Sequence, residues 1–154
     1  MIALVQRTLS SKVEIDGKTH SEASRGFLIL LGVYNEDTEN QVNLLVDKVA
    51  KLRVFEDSDG KMNLSPLQLK EQGEAVEIMV VSQFTLCAVC KGQNRPSFIN
   101  AARPDKAVPL YEMFVRGLRE KHGFTVSTGE FGADMKVSLI NDGPVTIILD
   151  TDKL

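Results

Sequence analysis

The stretch "FLILLGVY" at 27–34 constrains the fold more than any other. Its apolar residues do not alternate with polar ones, which is the pattern of a strand covered on both faces. A chain containing it needs layers on either side. The rest of the sequence supplies them. Residues 2–10 and 12–16 read as strands of mixed pattern, and "DGK" at 16–18 predicts a hairpin turn into a short return strand. Thr38 and Gln41 form a T-x-x-Q capping box, after which Val42, Leu45, Val46, Val49 and Leu52 recur along one helical face. "EAVEIMVVSQFTL" at 74–86 is the next strong strand. Pro109 suits the first turn of a second helix, with Leu110, Tyr111, Phe114, Val115 and Leu118 as its buried stripe. Outside that stripe Glu112 and Arg116 are placed to pair, and Gly123 stops the helix. "FTVSTGEF" and "MKVSLI…PVTIILD" complete the strands. The expectation is one α+β domain over 1–154, layered, with mostly antiparallel strands and two main amphipathic helices.

With 154 residues, 43% of them hydrophobic, the chain suits a single core. A domain of this size buries roughly 68–70% of its unfolded surface, so it needs no disulfide or metal for stability. The N-terminal "MIALVQRTLSSKVEID" carries Arg7 inside its apolar stretch and has no small-residue cleavage site, unlike a signal peptide. No run reaches the ~20 apolar residues of a membrane span. A cytoplasmic protein is expected.

A net charge of −3 argues against broad adhesion to nucleic acid. A local patch is another matter: between 91 and 106, Lys91, Arg95, Arg103 and Lys106 face one acid, Asp105. It reads as a solvated loop or as a nucleic-acid contact. "CAVC" places Cys87 and Cys90 where a redox pair or half a zinc site could stand, but zinc wants two further ligands. His20 and His122 are the only histidines and lie far apart in sequence. Two reduced thiols are the expectation. "EDSDGKMN" at 56–63 fails as a calcium loop counted from Asp57, because glycine stands fourth and lysine fifth. A polar turn is expected there.

Two stretches could carry chemistry. "VVSQFTL" ends a buried-looking strand in Ser82, Gln83 and Thr85. These groups either satisfy neighbouring backbone or offer hydroxyls, an amide and free N–H groups to a ligand. A hydroxyl nucleophile needs a base, and no histidine is near in sequence. Hydrolysis here would rest on positioning and on N–H donors aimed at an oxyanion. The other stretch is "NDGPVT" at 141–146. Asn-Asp-Gly between apolar runs is a hairpin signal, yet Pro144 follows where the returning strand should offer an N–H.

Taken together, "VSQFTL" at 81–86, "RPSF" at 95–98, "FGADMKVSL" at 131–139 and "NDGPVT" resemble the D-aminoacyl-tRNA deacylase family. The resemblance runs from "VQR" at 5–7 to the terminal strand; the stretch "CAVCKGQN" departs from the family pattern. It implies a three-layer β/β/α fold, a homodimer, and hydrolysis of the ester joining a D-amino acid to tRNA, without metal or cofactor. It also implies that Gly143–Pro144 is a cis bond reaching into the partner's active site. There, with Asn141 alongside and Arg7 as brace, it would reject L-amino acids by steric clash and accept glycine. Ser82, Gln83, Phe84 and Thr85 match the catalytic motif. Backbone N–H groups near Phe84 and Thr85 would hold the ester carbonyl, and the substrate's ribose 2′-hydroxyl would activate water in place of the Thr85 side chain. Phe131, Gly132, Ala133 and Met135 would line the terminal adenosine pocket, or belong to the core. Ser82 and Phe84 favour the D-specific branch over the sibling branch that clears a misacylated L-amino acid. The rival expectation is a non-catalytic nucleic-acid-binding module using the 91–106 patch.

Overall fold

The computed structural model describes all 154 residues. Its strands are β1 (Ile2–Ile15), β2 (Lys18–Ala23), β3 (Gly26–Gly32), β4 (Phe55–Glu56), β5 (Met62–Leu64), β6 (Glu77–Ser82), β7 (Thr125–Thr128) and β8 (Lys136–Asp150). Its helices are α1 (Glu39–Ala50), α2 (Pro66–Glu71) and α3 (Pro104–Glu120), with short 3-10 turns at Phe84–Cys87 and Thr151–Lys153. The main sheet runs β2-β1-β3-β6-β7, and β8 pairs with β1. β1 is antiparallel to β2, β3 and β8, whereas β3–β6 and β6–β7 are parallel. The architecture is α+β, as the sequence suggested.

The uninterrupted apolar run does sit at the centre. Phe27, Ile29 and Leu31 of β3, with Ile78 and Val80 of β6, join the large core beneath α1 and α3. Leu28, Met79 and Val81 point the other way, into a smaller core with Val13 and Ala23, against which Leu30, Met135, Val137 and Leu139 pack. The period-2 alternation of strand side chains thus divides one hydrophobic run between two layers. The second layer comes from the far half of β1, β2 and the start of β8, folding back over the sheet. Hydrogen bonds from Ser21 Oγ to the Thr128 carbonyl and from Ser127 Oγ to the Glu22 carbonyl, both 2.7 Å, pull β2 toward β7.

Local signals held where they were self-contained. Asp16 and Gly17 take φ of 50° and 73°, which lets β1 turn tightly into β2. Thr38 and Gln41 form the reciprocal capping box of α1, and Val42, Leu45, Val46 and Val49 are buried. The Asp57 carboxylate accepts N–H groups from Asp59 and Lys61 and the Asn63 amide, organising the polar turn. These donors, the Lys61 N–H foremost, lower its pKa. Both cysteines are free, Cys87 buried and Cys90 exposed. No helix is long and apolar enough to cross a membrane.

Five expectations need correction. Residues 2–15 form one strand, not two, its ladder with β8 broken by shifts on either side of Thr8. The second main helix starts at Pro104, and Pro109 lies inside it; its buried stripe is as expected. Glu112 and Arg116 are not within ion-pair distance. α2 was missed although Ser65 and Gln68 make a second capping box ahead of it, with Pro66 in its first turn. Finally, "NDGPVT" closes no hairpin. β8 continues through it along β1: Asn141 pairs with Thr8 and Thr146 with Gln6, so residues 142–145 bulge out opposite Arg7 alone. Within a bulge the missing N–H of Pro144 costs no ladder bond, which explains the proline.

Candidate active site

β6 ends at Ser82, in register with Leu31 of β3, and the Gln83 N–H donates to the Leu31 carbonyl at 2.8 Å. The chain then tightens into the 3-10 turn instead of extending as a strand to residue 86. Gly32 permits this. A Cβ there would sit 3.1 Å from the Gln83 carbonyl oxygen, 3.2 Å from Cys87 Sγ and 2.9 Å from Ile2 Cγ2. In an i→i+3 turn the first N–H groups, those of Phe84 and Thr85, have no acceptor within it, and no side chain caps them. Phe84 and Thr85 are exposed. Gln83 Nε2 donates to Thr85 Oγ1, so that hydroxyl is held by an amide and not by a base.

Beside this turn lies a cleft of about 310 Å³. Ser82, Gln83 and Phe84 form one wall; Phe131, Gly132, Ala133, Asp134 and Met135 form another; Tyr111, Ala102 and Ala107 close the side toward α3. Two segments some fifty residues apart in the chain therefore share one cavity. Met135 has a double role, because it also packs on the smaller core. Tyr111 was legible only as a member of the helical stripe. Its hydroxyl donates to the Val80 carbonyl at 2.9 Å and its ring meets Phe131 edge-on at 6.3 Å, so it ties α3, β6 and the far wall together. Burial pushes its phenol up to about 12, which keeps it neutral.

Neither histidine approaches the cleft. His20 is exposed on β2, and His122 Nε2 lies 2.9 Å from Asp47 Oδ1. No group of three or more His, Cys, Asp or Glu side chains converges to hold a metal ion. The cleft thus offers N–H donors, an amide, the Ser82 hydroxyl, apolar walls and the Asp134 carboxylate, which pairs with Lys136 Nζ at 2.9 Å; Thr85 stands next to the lining residues, not among them.

Asn141, Gly143, Pro144 and Arg7 lie elsewhere. The Gly143–Pro144 bond is cis, and Gly143 has φ of 122°, unfavourable for residues bearing a Cβ. Both residues are exposed, as is Asn141. Arg7 is buried beneath them: Nε donates to the Asp142 carbonyl at 3.1 Å, Nη1 donates to the Val54 carbonyl at 2.5 Å, and the Asp142 carboxylate lies 3.2 Å away. Arg7 is level with Phe27, and Phe27 with Ile78. Ser82 lies further along β6 and three strand spacings across, which puts the corner on the order of 20 Å from the cleft of its own chain.

Comparison with known proteins gives the chain its family. The model of a family described as D-Tyr-tRNA(Tyr) deacylase matches residues 4–150. A D-aminoacyl-tRNA deacylase of Thermotoga petrophila is 52% identical, covering 100% of this chain and 99% of that protein. One of Sulfurihydrogenibium sp. is 53% identical and covers 100% of both. The solved structure titled "c-Myc DNA Unwinding Element Binding Protein" superposes with a TM-score of 0.87 at 40% identity, covering 97% of this chain and 98% of that one. A probable eukaryotic D-amino acid tRNA deacylase shares the fold, with a TM-score of 0.80 at 16% identity over 96% and 97% of the two chains. With its full length matched and its cleft built from paired motifs, the chain belongs to the D-Tyr-tRNA(Tyr) deacylase family and is an enzyme of that family.

Proposed function

We propose that this cleft hydrolyses the ester of D-aminoacyl-tRNA in the cytoplasm, releasing free D-amino acid and tRNA. The observation that carries the reading is the uncapped pair of N–H groups at Phe84 and Thr85 beside an apolar cavity that holds no histidine. The terminal adenosine occupies the space between Phe131–Met135 and Tyr111, which brings its ester carbonyl to the 3-10 turn. As water attacks, charge builds on the carbonyl oxygen, and fixed N–H donors stabilise it; one such donor is typically worth ~10²–10³ in rate. The ribose 2′-hydroxyl of the substrate positions and activates the water. Gln83 orients Thr85, and the Thr85 hydroxyl serves as a contact and not as a nucleophile.

Chirality is sorted by the Gly143–Pro144 corner of a second copy. Three features support this: the corner is exposed, it is too far from its own cleft, and apolar side chains stand out beside it. Leu9, Ile140 and Ile148, all on β1 and β8, are 51%, 57% and 61% exposed, an outer face suited to a homodimer. Carbonyl oxygens of the corner leave room for a D-aminoacyl α-hydrogen and collide with an L-side chain. Glycine, with no Cβ, passes. Hydrolysis of D-Tyr-tRNA with L-Tyr-tRNA spared is the expected result; equal cleavage of both, or of neither, overturns the proposal.

The 40%-identical DNA unwinding element binding protein and the 91–106 cations favour a second reading, a non-catalytic nucleic-acid-binding module. Under it, binding falls steeply with salt and survives replacement of Gly143 or Thr85.

A further inference from the structure

Residues 91–106 form a strap beside the cleft, reaching it at Phe98 and Ala102, and their charge is out of keeping with the rest of an acidic chain. The strap is fixed in place. Val89 and Ser97 exchange backbone hydrogen bonds of 2.8 and 3.0 Å, the Ala102 N–H donates to the Val33 carbonyl at 2.9 Å, and Asn35 Nδ2 donates to the Ile99 carbonyl at 2.8 Å. The Phe98 ring packs edge-on against Phe84 at 5.0 Å, joining the strap to the N–H donor turn. Ala102 and Ala107, which line the cleft, bracket Arg103 and Lys106.

Lys91, Arg95 and Arg103 are exposed and take part in none of the eight ion pairs; Lys106 Nζ donates to the Asn35 carbonyl instead of to a carboxylate. Six cations of the chain, Arg7, Lys12, Arg25, Lys121, Lys136 and Lys153, have an acidic partner; the strap is set apart by its density of cations along one exposed segment, with Asp105 its only acid. Arg103 and Lys106, held between two cleft-lining alanines, raise the positive potential beside the cavity, and Lys91 and Arg95 extend the same exposed basic segment away from it.

We infer that this strap is the track for the phosphodiester backbone of the nucleotides preceding the terminal adenosine, a sequence-independent positioning surface. The inference rests on the deacylase reading of the cleft. Point charges on flexible stems and an unpaired guanidinium fix register through phosphate and read no base. Each phosphate contact releases condensed counterions, so the affinity falls with salt by a slope of ~0.7–0.9 per contact.

The test pairs two substrates and one binding probe. For Arg95→Ala/Arg103→Ala, KM for D-Tyr-tRNA rises about tenfold near 0.1 M salt, kcat is retained, and the slope of log(kcat/KM) against log[salt] becomes shallower by ~1.5. Hydrolysis of D-Tyr-adenosine, which has no phosphates, stays within twofold of the parent. Fluorescence anisotropy of an uncharged RNA hairpin ending in CCA, which needs no turnover, shows the same loss of affinity and of salt slope. Unchanged KM and slope overturn the inference, and so does an equal loss on D-Tyr-adenosine. If the parent chain cleaves neither substrate, the deacylase reading fails, while the anisotropy series still decides whether the strap binds phosphates.

Discussion

Replacing Arg7 by Met removes the brace beneath the Gly143–Pro144 corner while keeping a long apolar stem. The Val54 carbonyl loses its guanidinium donor inside the core, where Val54 is 7% exposed. An orphaned buried acceptor costs ~1–3 kcal/mol. The Asp142 side chain is 31% exposed and rehydrates, so its lost ion pair adds at most ~1 kcal/mol. The sum of about 1–4 kcal/mol, at ~2–4 °C per kcal/mol for a chain of this size, lowers Tm by about 2–16 °C. Arg7→Lys falls between the two, because one ammonium cannot reproduce the planar fork that reaches both carbonyls. Thermal unfolding by circular dichroism gives the first readout, and the ratio of D-Tyr-tRNA to L-Tyr-tRNA hydrolysis at a temperature where both variants are folded gives the second. The brace predicts that this ratio drops, because residues 142–145 lose the anchor that holds them opposite β1. A Tm within 2 °C of the parent, with the ratio unchanged, would refute the reasoning.

Gly32→Ala pushes a methyl group toward the Gln83 carbonyl, 3.1 Å from its Cβ; displacing the donor turn lowers kcat by ~10–100-fold, and a kcat equal to the parent's would rule out tight seating of the turn. Burial of Tyr111 raises its pKa from 10.0 to about 12, so the stability it contributes is complete below pH 10 and is lost as pH rises toward 12. Tyr111→Phe therefore shows a flatter decline of Tm across that window, at the cost of the bond to Val80, and an identical decline would place the phenol in water. Burial also pushes the Cys87 thiol up to about 11; a disulfide reagent at pH 8 titrates Cys90 alone in the folded chain and both thiols after denaturation, and rapid reaction of two would contradict the packing.

How much of this was legible beforehand depended on the distance over which each signal acts. The Thr38–Gln41 box, the Asp16–Gly17 turn and the buried stripe of α3 were readable because each is set within one or two turns of chain. The candidate stretch at 82–85 stood out because polar groups ended an apolar strand. Where Pro109 suggested a helix start, the helix began at Pro104, since either proline satisfies a first-turn rule and the choice depended on what the preceding loop could reach. The misread corner has the same origin. Asn-Asp-Gly permits a positive φ wherever it occurs, but whether the chain reverses or bulges depends on how much of β1 remains for β8 to pair with. Residues themselves determined the layers, the caps, the polar strand end and the position of a proline that can make no ladder bond, all consequences of side-chain period and backbone freedom. Tertiary structure alone decided that the 82–84 and 131–135 segments face each other across one cavity, that Tyr111 links them, and that Arg7 lies beneath the corner. Those pairings join residues tens to more than a hundred positions apart, and they are fixed by strand register and layer stacking, which no local pattern encodes.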